Sequence, residues 1–465
     1  MRQISENPAA RRSVGRHVAS IASIADPIAL AQLAQMAMGV TDTLMLGGIS
    51  ERALAAGGLG AQIFFSVTFC LQGALSGVAV LIARALGAGD RRAVSRIYWS
   101  GFVLALLLCV PLVMVARAPQ ALLRIAGEPA NLAADTAVYL GVLAYGVPGA
   151  MLALGLLKFT LPAIGEARLL LWISPAAVAL NAGLNFWFIH GGWFLPAYGL
   201  PGSAAASVVT LTLEAVMLIA LLHGRRNLRD LARLSPVSLG ALRQLVAIGL
   251  PVSITVIAEV SLFLAVGLTA GNLGEASLAA HTIAINVASI SFMVPLAIAQ
   301  AANVVVAGAI GYGSLQDARR AGLVAIGLGV SVMAAAAIVI ALFAGPIAGL
   351  YLGGQTAPQT LALATSLLGI AAAFQLVDGL QVVSSGALRG LADTRVPMLI
   401  ALFGYWAIGL VVGRWLAFSQ GFGVRGLWWG LFAGLATTGV CLLTRFLWRT
   451  RSRHPGAPSG PATFR

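Results

Sequence analysis

Apolar residues run along this chain in blocks of about twenty or more, broken by short clusters of Arg, Gly, Asp and Pro. A block that long, wound at ~1.5 Å per residue, crosses a hydrocarbon core ~30 Å thick, so each predicts a transmembrane helix. Twelve are predicted, over 20–46, 52–80, 94–116, 132–157, 169–190, 200–222, 244–271, 276–308, 320–345, 360–386, 396–417 and 425–447. A hydrophobic content of 59%, a charged content of 9% and a mean hydropathy of +0.92 put the chain far outside the range of soluble domains. The expected class is an all-α polytopic membrane protein. Arg2, Arg11, Arg12 and Arg16 precede a long first span, a pattern unlike a short cleaved signal peptide.

The net charge of +14 would suit a nucleic-acid partner if the cations were spread over one surface, but they are segregated. With both termini cytoplasmic, 24 of the 29 Lys and Arg residues fall in inside segments, among them Arg84, Lys158, Arg168, Arg225, Arg389 and Arg449. That asymmetry is the positive-inside rule, and it predicts an inner-membrane protein with both ends inside and no nucleic-acid partner.

Sliding the chain against itself by 224 residues superposes Pro27 on Pro251, Gln35 on Glu259, Gly87 on Gly311 and Gly89 on Gly313. Gly165-Glu166-Ala167-Arg168 matches Ala392-Asp393-Thr394-Arg395 at a slightly larger offset. Six spans per repeat keep the copies in one orientation, so two six-helix bundles related by a pseudo-two-fold axis along the membrane normal are expected. The predicted organisation is a cytoplasmic segment over 1–19, an N-lobe over 20–222, a polar linker over 223–243, a C-lobe over 244–447 and a disordered tail over 448–465.

Candidate chemistry lies in the acids placed inside apolar spans. A carboxylate at the centre of a bilayer helix costs roughly 2.5 to 3.5 kcal/mol on insertion scales, and one that is kept there generally faces a watery cavity and handles ions. Glu259 in span 7 and Asp378 in span 10 both come near mid-depth and are expected to share a cation or proton site. Asp42 in span 1 is expected to partner Asn181 and Asn185 in span 5, which stand four residues apart on one helix face. One carboxylate and two amide oxygens suit Na⁺ or a hydrogen-bonded proton carrier, and an asparagine ladder that merely joins helices is the alternative. Glu214 is expected to reach the interface or pair with an arginine, and Asp26 to lie near the start of its span. Gly426, Gly430 and Gly434 form a helix-packing stripe. Gln35, Phe263, Phe292, Phe374, Tyr139, Tyr145 and Trp187 are candidates to line a cavity for lipophilic compounds.

Cys70, Cys109 and Cys441 lack metal-ligand spacing, and the five histidines are scattered, so no structural metal site and no cofactor are expected. Lys158, the single lysine, is not part of a GxxxxGK[ST] loop, which argues against direct use of ATP. No GxSxG or HExxH arrangement supports an intramembrane enzyme.

Two segments, residues 27–47 with their AQLAQMAMGVTDTLMLG run and residues 374–398 with FQLVDGLQVVSSGALRGLADTRVPM, resemble the NorM branch of the multidrug and toxic compound extrusion transporters. The resemblance covers about residues 20 to 447 and implies cation-coupled export of amphipathic, often cationic, drug-like compounds by a monomer embedded in the bilayer. It implies an N-lobe site at Asp42, Asn181 and Asn185 and a C-lobe site at Glu259 and Asp378. Some members carry a tyrosine one turn before the span-10 acid where this chain has Phe374. The missing hydroxyl removes a Na⁺ ligand and favours H⁺ as the coupling ion. A lipid-linked precursor flippase of related fold is the nearest rival, but it calls for a basic cavity, and the spans here hold acids.

Overall fold

A computed structural model describes residues 13–119, 123, 129–192, 196–225, 231, 235–353 and 357–451. Among them are twelve helices long and apolar enough to cross a membrane. The first six are α1 (Val14–Gly47), α2 (Glu51–Gly87), α3 (Arg91–Arg117), α4 (Ala130–Ala163), α5 (Arg168–His190) and α6 (Leu200–Gly224). The second six are α7 (Leu239–Asn272), α8 (Glu275–Gly311), α9 (Leu315–Leu342), α10 (Pro358–Gly390), α11 (Arg395–Ser419) and α12 (Val424–Arg449). The count agrees with the apolar blocks, but several helices run on into polar residues that a hydropathy window discards. Thus α1 begins at Val14 rather than 20, which puts Asp26 well inside the helix, on an exposed face. The expected tail over 452–465 and much of the expected linker, 226–230 and 232–234, lie outside the described residues.

The repeat returns as matched local structure. Gly89 and Gly313 end α2 and α8 in the left-handed region, at φ 75° and 79°, where a side chain would be strained. The next residue in each copy, Asp90 or Ser314, caps the following helix by accepting from the backbone N–H of Ala93 or Asp317. At the α4–α5 turn the left-handed residue is Gly165, at φ 81°, and its counterpart in the second half is Ala392, at φ 55°. The same ion pair is also built twice. Arg225 at the end of α6 binds Glu166 in the α4–α5 turn, and Arg449 at the end of α12 binds Asp393 in the α10–α11 turn at 3.1 Å. In the second copy Arg445 adds two further bonds to Asp393, at 2.9 and 3.0 Å.

Within the second half, α11 and α12 meet through glycines, as the stripe predicted. A Cβ on Gly430 would stand 2.3 Å from the Gly413 Cα, and one on Gly434 would stand 2.6 Å from the Gly404 carbonyl oxygen. Such backbone contact lets helices associate in lipid through close van der Waals packing. Two helices depart from regular winding. α4 passes through a wide π turn at Met151–Leu157, and α11 does so at Phe403–Leu410 and again at Trp415–Ser419.

The halves join at the end of the bundle where α1 begins and α12 ends, called the terminal end below. There α2 packs on α7 and α8, and α1 packs on α8. A Cβ on Gly249 would fall 1.9 Å from the Ala74 carbonyl oxygen, and one on Gly87 would fall 2.4 Å from that of Gly308. His17 of α1 meets Asp317 of α9 at 3.2 Å, and the Arg84 guanidinium donates to the Gly390 carbonyl oxygen at 3.1 Å. One buried core accordingly runs from the first half into the terminal-side portions of α7, α8, α9, α10 and α12. A second core, over residues 258–288, 337–374 and 401–435, belongs to the second half alone. The halves therefore share a core at the terminal end and not at the far end.

Candidate functional site

In the first half, α1 carries Asp42 on the face turned toward α5 and α6. Asn185 donates to the Asp42 carboxylate at 2.6 Å and to the Asn181 side-chain oxygen at 3.0 Å. Ser207 of α6 donates to the other Asp42 oxygen at 3.3 Å, and Asn181 reaches Ser207 at 3.5 Å. Asp42 is 3% exposed and both asparagines are fully buried. The three residues expected together are together, and Ser207 closes the ring. Its signal was legible: Ser203, Ser207, Thr210 and Glu214 recur at helical spacing along α6, and all four are buried. The Asn185 side-chain oxygen has no protein partner, so the cluster holds one unused acceptor beside a carboxylate.

In the second half, Glu259 of α7 faces Tyr405 of α11. The Tyr405 hydroxyl donates to the Glu259 carboxylate at 3.5 Å and accepts from Gln381 of α10 at 2.8 Å. Asp378, one turn before Gln381, is buried and within electrostatic reach of both Glu259 and Tyr405. The two acids thus lie in one neighbourhood, as their depths predicted. Tyr405 had no sequence signal, because a tyrosine in an apolar span is usually packed.

One cavity ends one turn short of the Asp42 cluster, at Met38 and Ala177; Glu259 and Gln381 line a second, which Phe69 of α2 also borders, and the two are repeat equivalents. The first is lined by Ile28, Ala31, Gln32 and Gln35 of α1, and the second by Val252, Thr255, Val256 and Glu259 of α7, each pair 224 residues apart. Leu154, Lys158 and Leu170 of the first become Gln381, Ser385 and Pro397 of the second, 227 residues apart. The positions are shared and the chemistry is not.

Several expectations are corrected by this geometry. Gln35 and Phe292 do line the cavities. Phe374 and Tyr139 do not; they are fully buried side chains of the cores, and Phe374 stacks edge-on with Trp428 at 5.8 Å. Phe263 packs against Phe374 at 6.5 Å on the margin of the same core. Tyr145 and Trp187 are exposed and line neither of these cavities, and Arg117 lies over the Tyr145 ring at 5.1 Å. Glu214 is buried and, among the described residues, pairs with no arginine: it accepts from Ser174 at 3.0 Å and has Lys158 as its charged neighbour. Lys158, counted among the inside cations, is instead buried in α4, which continues past it to Ala163.

A two-lobed bundle with a buried polar cluster in each lobe and a pair of repeat-equivalent cavities is the architecture of a carrier that works by rocking its halves. The MatE family model matches residues 27–187 and 251–415, one stretch in each half. The chain is 52% identical over 436 residues to a probable multidrug resistance protein NorM of Burkholderia mallei, covering 93% of each sequence. It is 50% identical to the multidrug resistance protein NorM of Burkholderia vietnamiensis, covering 97% of this chain and 98% of that one. Among solved structures, the eukaryotic MATE transporter AtDTX14 superposes with a TM-score of 0.83 at 19% identity, over 93% of this chain and 96% of that one. An outward-facing multidrug resistance MATE family transporter of the MOP superfamily gives 0.82 at 22% identity, over 93% and 95%. The chain belongs to the MatE family.

Proposed function

We propose that this protein is a multidrug efflux transporter of the inner membrane. It exports amphipathic, often cationic, compounds in exchange for protons, working as a monomer with both termini in the cytoplasm. The observation that carries the reading is the pair of repeat-equivalent cavities, with Glu214 on the wall of one and Glu259 on the wall of the other, in a bundle whose halves each bury a carboxylate in a hydrogen-bond cluster. A carrier needs such groups to exchange a cation for a substrate without leaving a bare charge in hydrocarbon.

In this reading the arrangement, joined at the terminal end and unjoined at the far end, is the outward-facing state. The close approaches of Gly249 to Ala74 and of Gly87 to Gly308 shut the cytoplasmic side. Protonation of Asp42 would weaken its bonds from Asn185 and Ser207, since a charged acceptor holds its donors roughly twice as strongly as a neutral one. That change loosens α1 from α5 and α6 and couples proton uptake to substrate release. Glu259, bonded by Tyr405, and the nearby Asp378 form the corresponding element of the second lobe.

The test is dye export by the purified protein in liposomes under an imposed pH gradient, then under an imposed Na⁺ gradient. Export driven by the pH gradient without Na⁺ is expected. Export that follows Na⁺ alone would overturn the proton assignment, and no export under either would overturn the transporter reading.

A further inference from the structure

Glu259 stands at the inner end of a cavity that leads in one direction. On α7 the wall runs from Val252 to Glu259, and on α10 from Gln381 to Arg389, ending in Asp393 and Thr394 of the α10–α11 turn. Gln381 and Glu259 share the Tyr405 hydroxyl and so lie at one level. Because α7 leaves the terminal end and α10 returns to it, the rest of both walls lies nearer that end. The eight residues from Gln381 to Arg389 cover ~12 Å of depth. On the far side of Glu259 the lobe is filled by its own core, with Leu262, Val266 and Phe374 buried.

The wall keeps hydrogen-bonding groups of both kinds without partners among the described residues. Gln381, 3% exposed, gives its amide N–H to Tyr405 and leaves its side-chain oxygen without a donor. Arg389 buries an Nε–H without an acceptor, while Asp393, the carboxylate at that end of the wall, is held by Arg445 and Arg449. A cation would serve only the oxygen and an anion only the guanidinium, whereas water both donates and accepts. The cavity, about 70 Å³, has room for several waters. The first half does not repeat this wall: Leu154 and Pro162 stand in place of Gln381 and Arg389, and its cavity ends one turn short of Asp42. The titratable groups around Glu259 are Asp378 and Tyr405 within the lobe and Arg389 and Asp393 along the wall, while α2 and α8 face the cavity with apolar side chains only.

We propose that this cavity is a water-filled proton passage from Glu259 to the terminal face. A proton on the Glu259 carboxyl passes to the nearest water as that O–H bond breaks, each water hands on one of its own, and the last leaves past Asp393 to bulk water. With the halves joined, the acid of the second lobe exchanges protons with the side that holds the termini, while the first cavity brings no such path to Asp42. The inference rests on the exporter reading for the proton as cargo and adds the side from which the second lobe is served.

The joined state can be held by a disulfide. A Cβ on Gly77 would stand 3.4 Å from the Ile248 Cβ, close to the spacing a disulfide needs, so Gly77→Cys with Ile248→Cys is expected to oxidise across the lobes. With Cys70, Cys109 and Cys441 changed to alanine, the locked protein is placed in sealed vesicles whose orientation is read by an epitope at the C-terminus. Ag⁺ on the terminal side is expected to consume most of the thiol of Ser385→Cys, counted afterwards with a maleimide dye in SDS, and Ag⁺ on the far side almost none. Thr255→Cys, on the same wall, serves if that variant fails to fold. The infrared carbonyl band that Glu259→Gln removes is expected to appear and vanish with the pH of the terminal-side medium alone. A thiol reached from the far side or from neither side, or a band that does not follow terminal-side pH, overturns the passage. So does a cysteine pair that will not oxidise, since the joined state is then absent. Dye export by the reduced protein is measured separately, and its absence counts against the exporter reading while the thiol and the band still decide the passage.

Discussion

Gly87 and Gly311, equivalent residues of the two repeats, meet backbone to backbone: a Cβ on Gly87 would stand 3.0 Å from the Gly311 Cα. Equivalent positions in contact mark where the pseudo-two-fold axis passes, at the end of the bundle where the halves are joined. Around them lie the His17–Asp317 pair and the Arg84 bond to Gly390.

A side chain at this point therefore acts on the joint between the lobes. A Cβ on Gly311 would fall 2.3 Å from the Arg84 carbonyl oxygen, a backbone atom with nowhere to move. Gly311→Val is expected to destabilise the joined state by about 1–3 kcal/mol, the usual cost of overpacking. Spin labels on exposed terminal-side positions of α3 and α9 should report a longer distance between halves in the variant. An unchanged distance distribution would contradict the role given to this contact.

Asp42→Asn keeps the shape of the side chain and one oxygen for Asn185, but it removes the ionisable group. Dye export should fall by about tenfold or more, in line with loss of a positioned proton carrier. The melting temperature in detergent should change little. Export at the wild-type rate would exclude Asp42 from coupling.

Tyr405→Phe deletes the hydroxyl that receives Gln381 and donates to Glu259. Gln381 is 3% exposed, so its amide would be left without its acceptor at a cost of about 1–3 kcal/mol. Lower thermal stability and slower transport are both expected. Gln381→Leu in the same background should restore part of the stability and none of the rate. Additive losses in the double variant would show that the bond does not exist.

Ala392 holds a left-handed conformation that Gly165 occupies in the first half. For a residue with a Cβ that conformation costs roughly 1–2 kcal/mol, partly offset by the ~0.5–1 kcal/mol of chain entropy a glycine gives up on folding. Ala392→Gly should therefore be neutral to stabilising, by up to about 1 kcal/mol, as read by a thermal melt. A clear loss of stability would mean that the alanine methyl contributes packing which outweighs the strain.

The helices, the duplication and the acids of both sites were legible because each leaves a pattern in one dimension. A span is a length of apolar residues, a repeat is a register, and Asn181 with Asn185 is a helical spacing beside an acid in an apolar field. Tyr405 was not legible, because its partner Glu259 is 146 residues away and nothing in the sequence around Phe403–Leu410 separates a bonded tyrosine from a packed one. Phe374 and Tyr139 were misplaced for the complementary reason: an aromatic can face either side of a helix, and tertiary packing turned both into the cores. Lys158 was misread because a hydropathy window ends a span at the first charge, whereas the helix itself continues to Ala163.

The two acidic sites do not sit at equivalent places in the repeat. The counterpart of Glu259 is Gln35, and Asp42 stands seven residues beyond it along α1, two turns farther from the terminal face. At ~1.5 Å per residue that is about 10 Å, roughly a third of a ~30 Å hydrocarbon core. Cations bound at the two sites would therefore occupy different electrical depths. A full charge crossing 100 mV is worth ~2.3 kcal/mol, and each lobe would draw a different share of it. Asp42 and Glu259, duplicated in fold yet displaced in depth, would thus give one transporter two unequal readings of the membrane voltage.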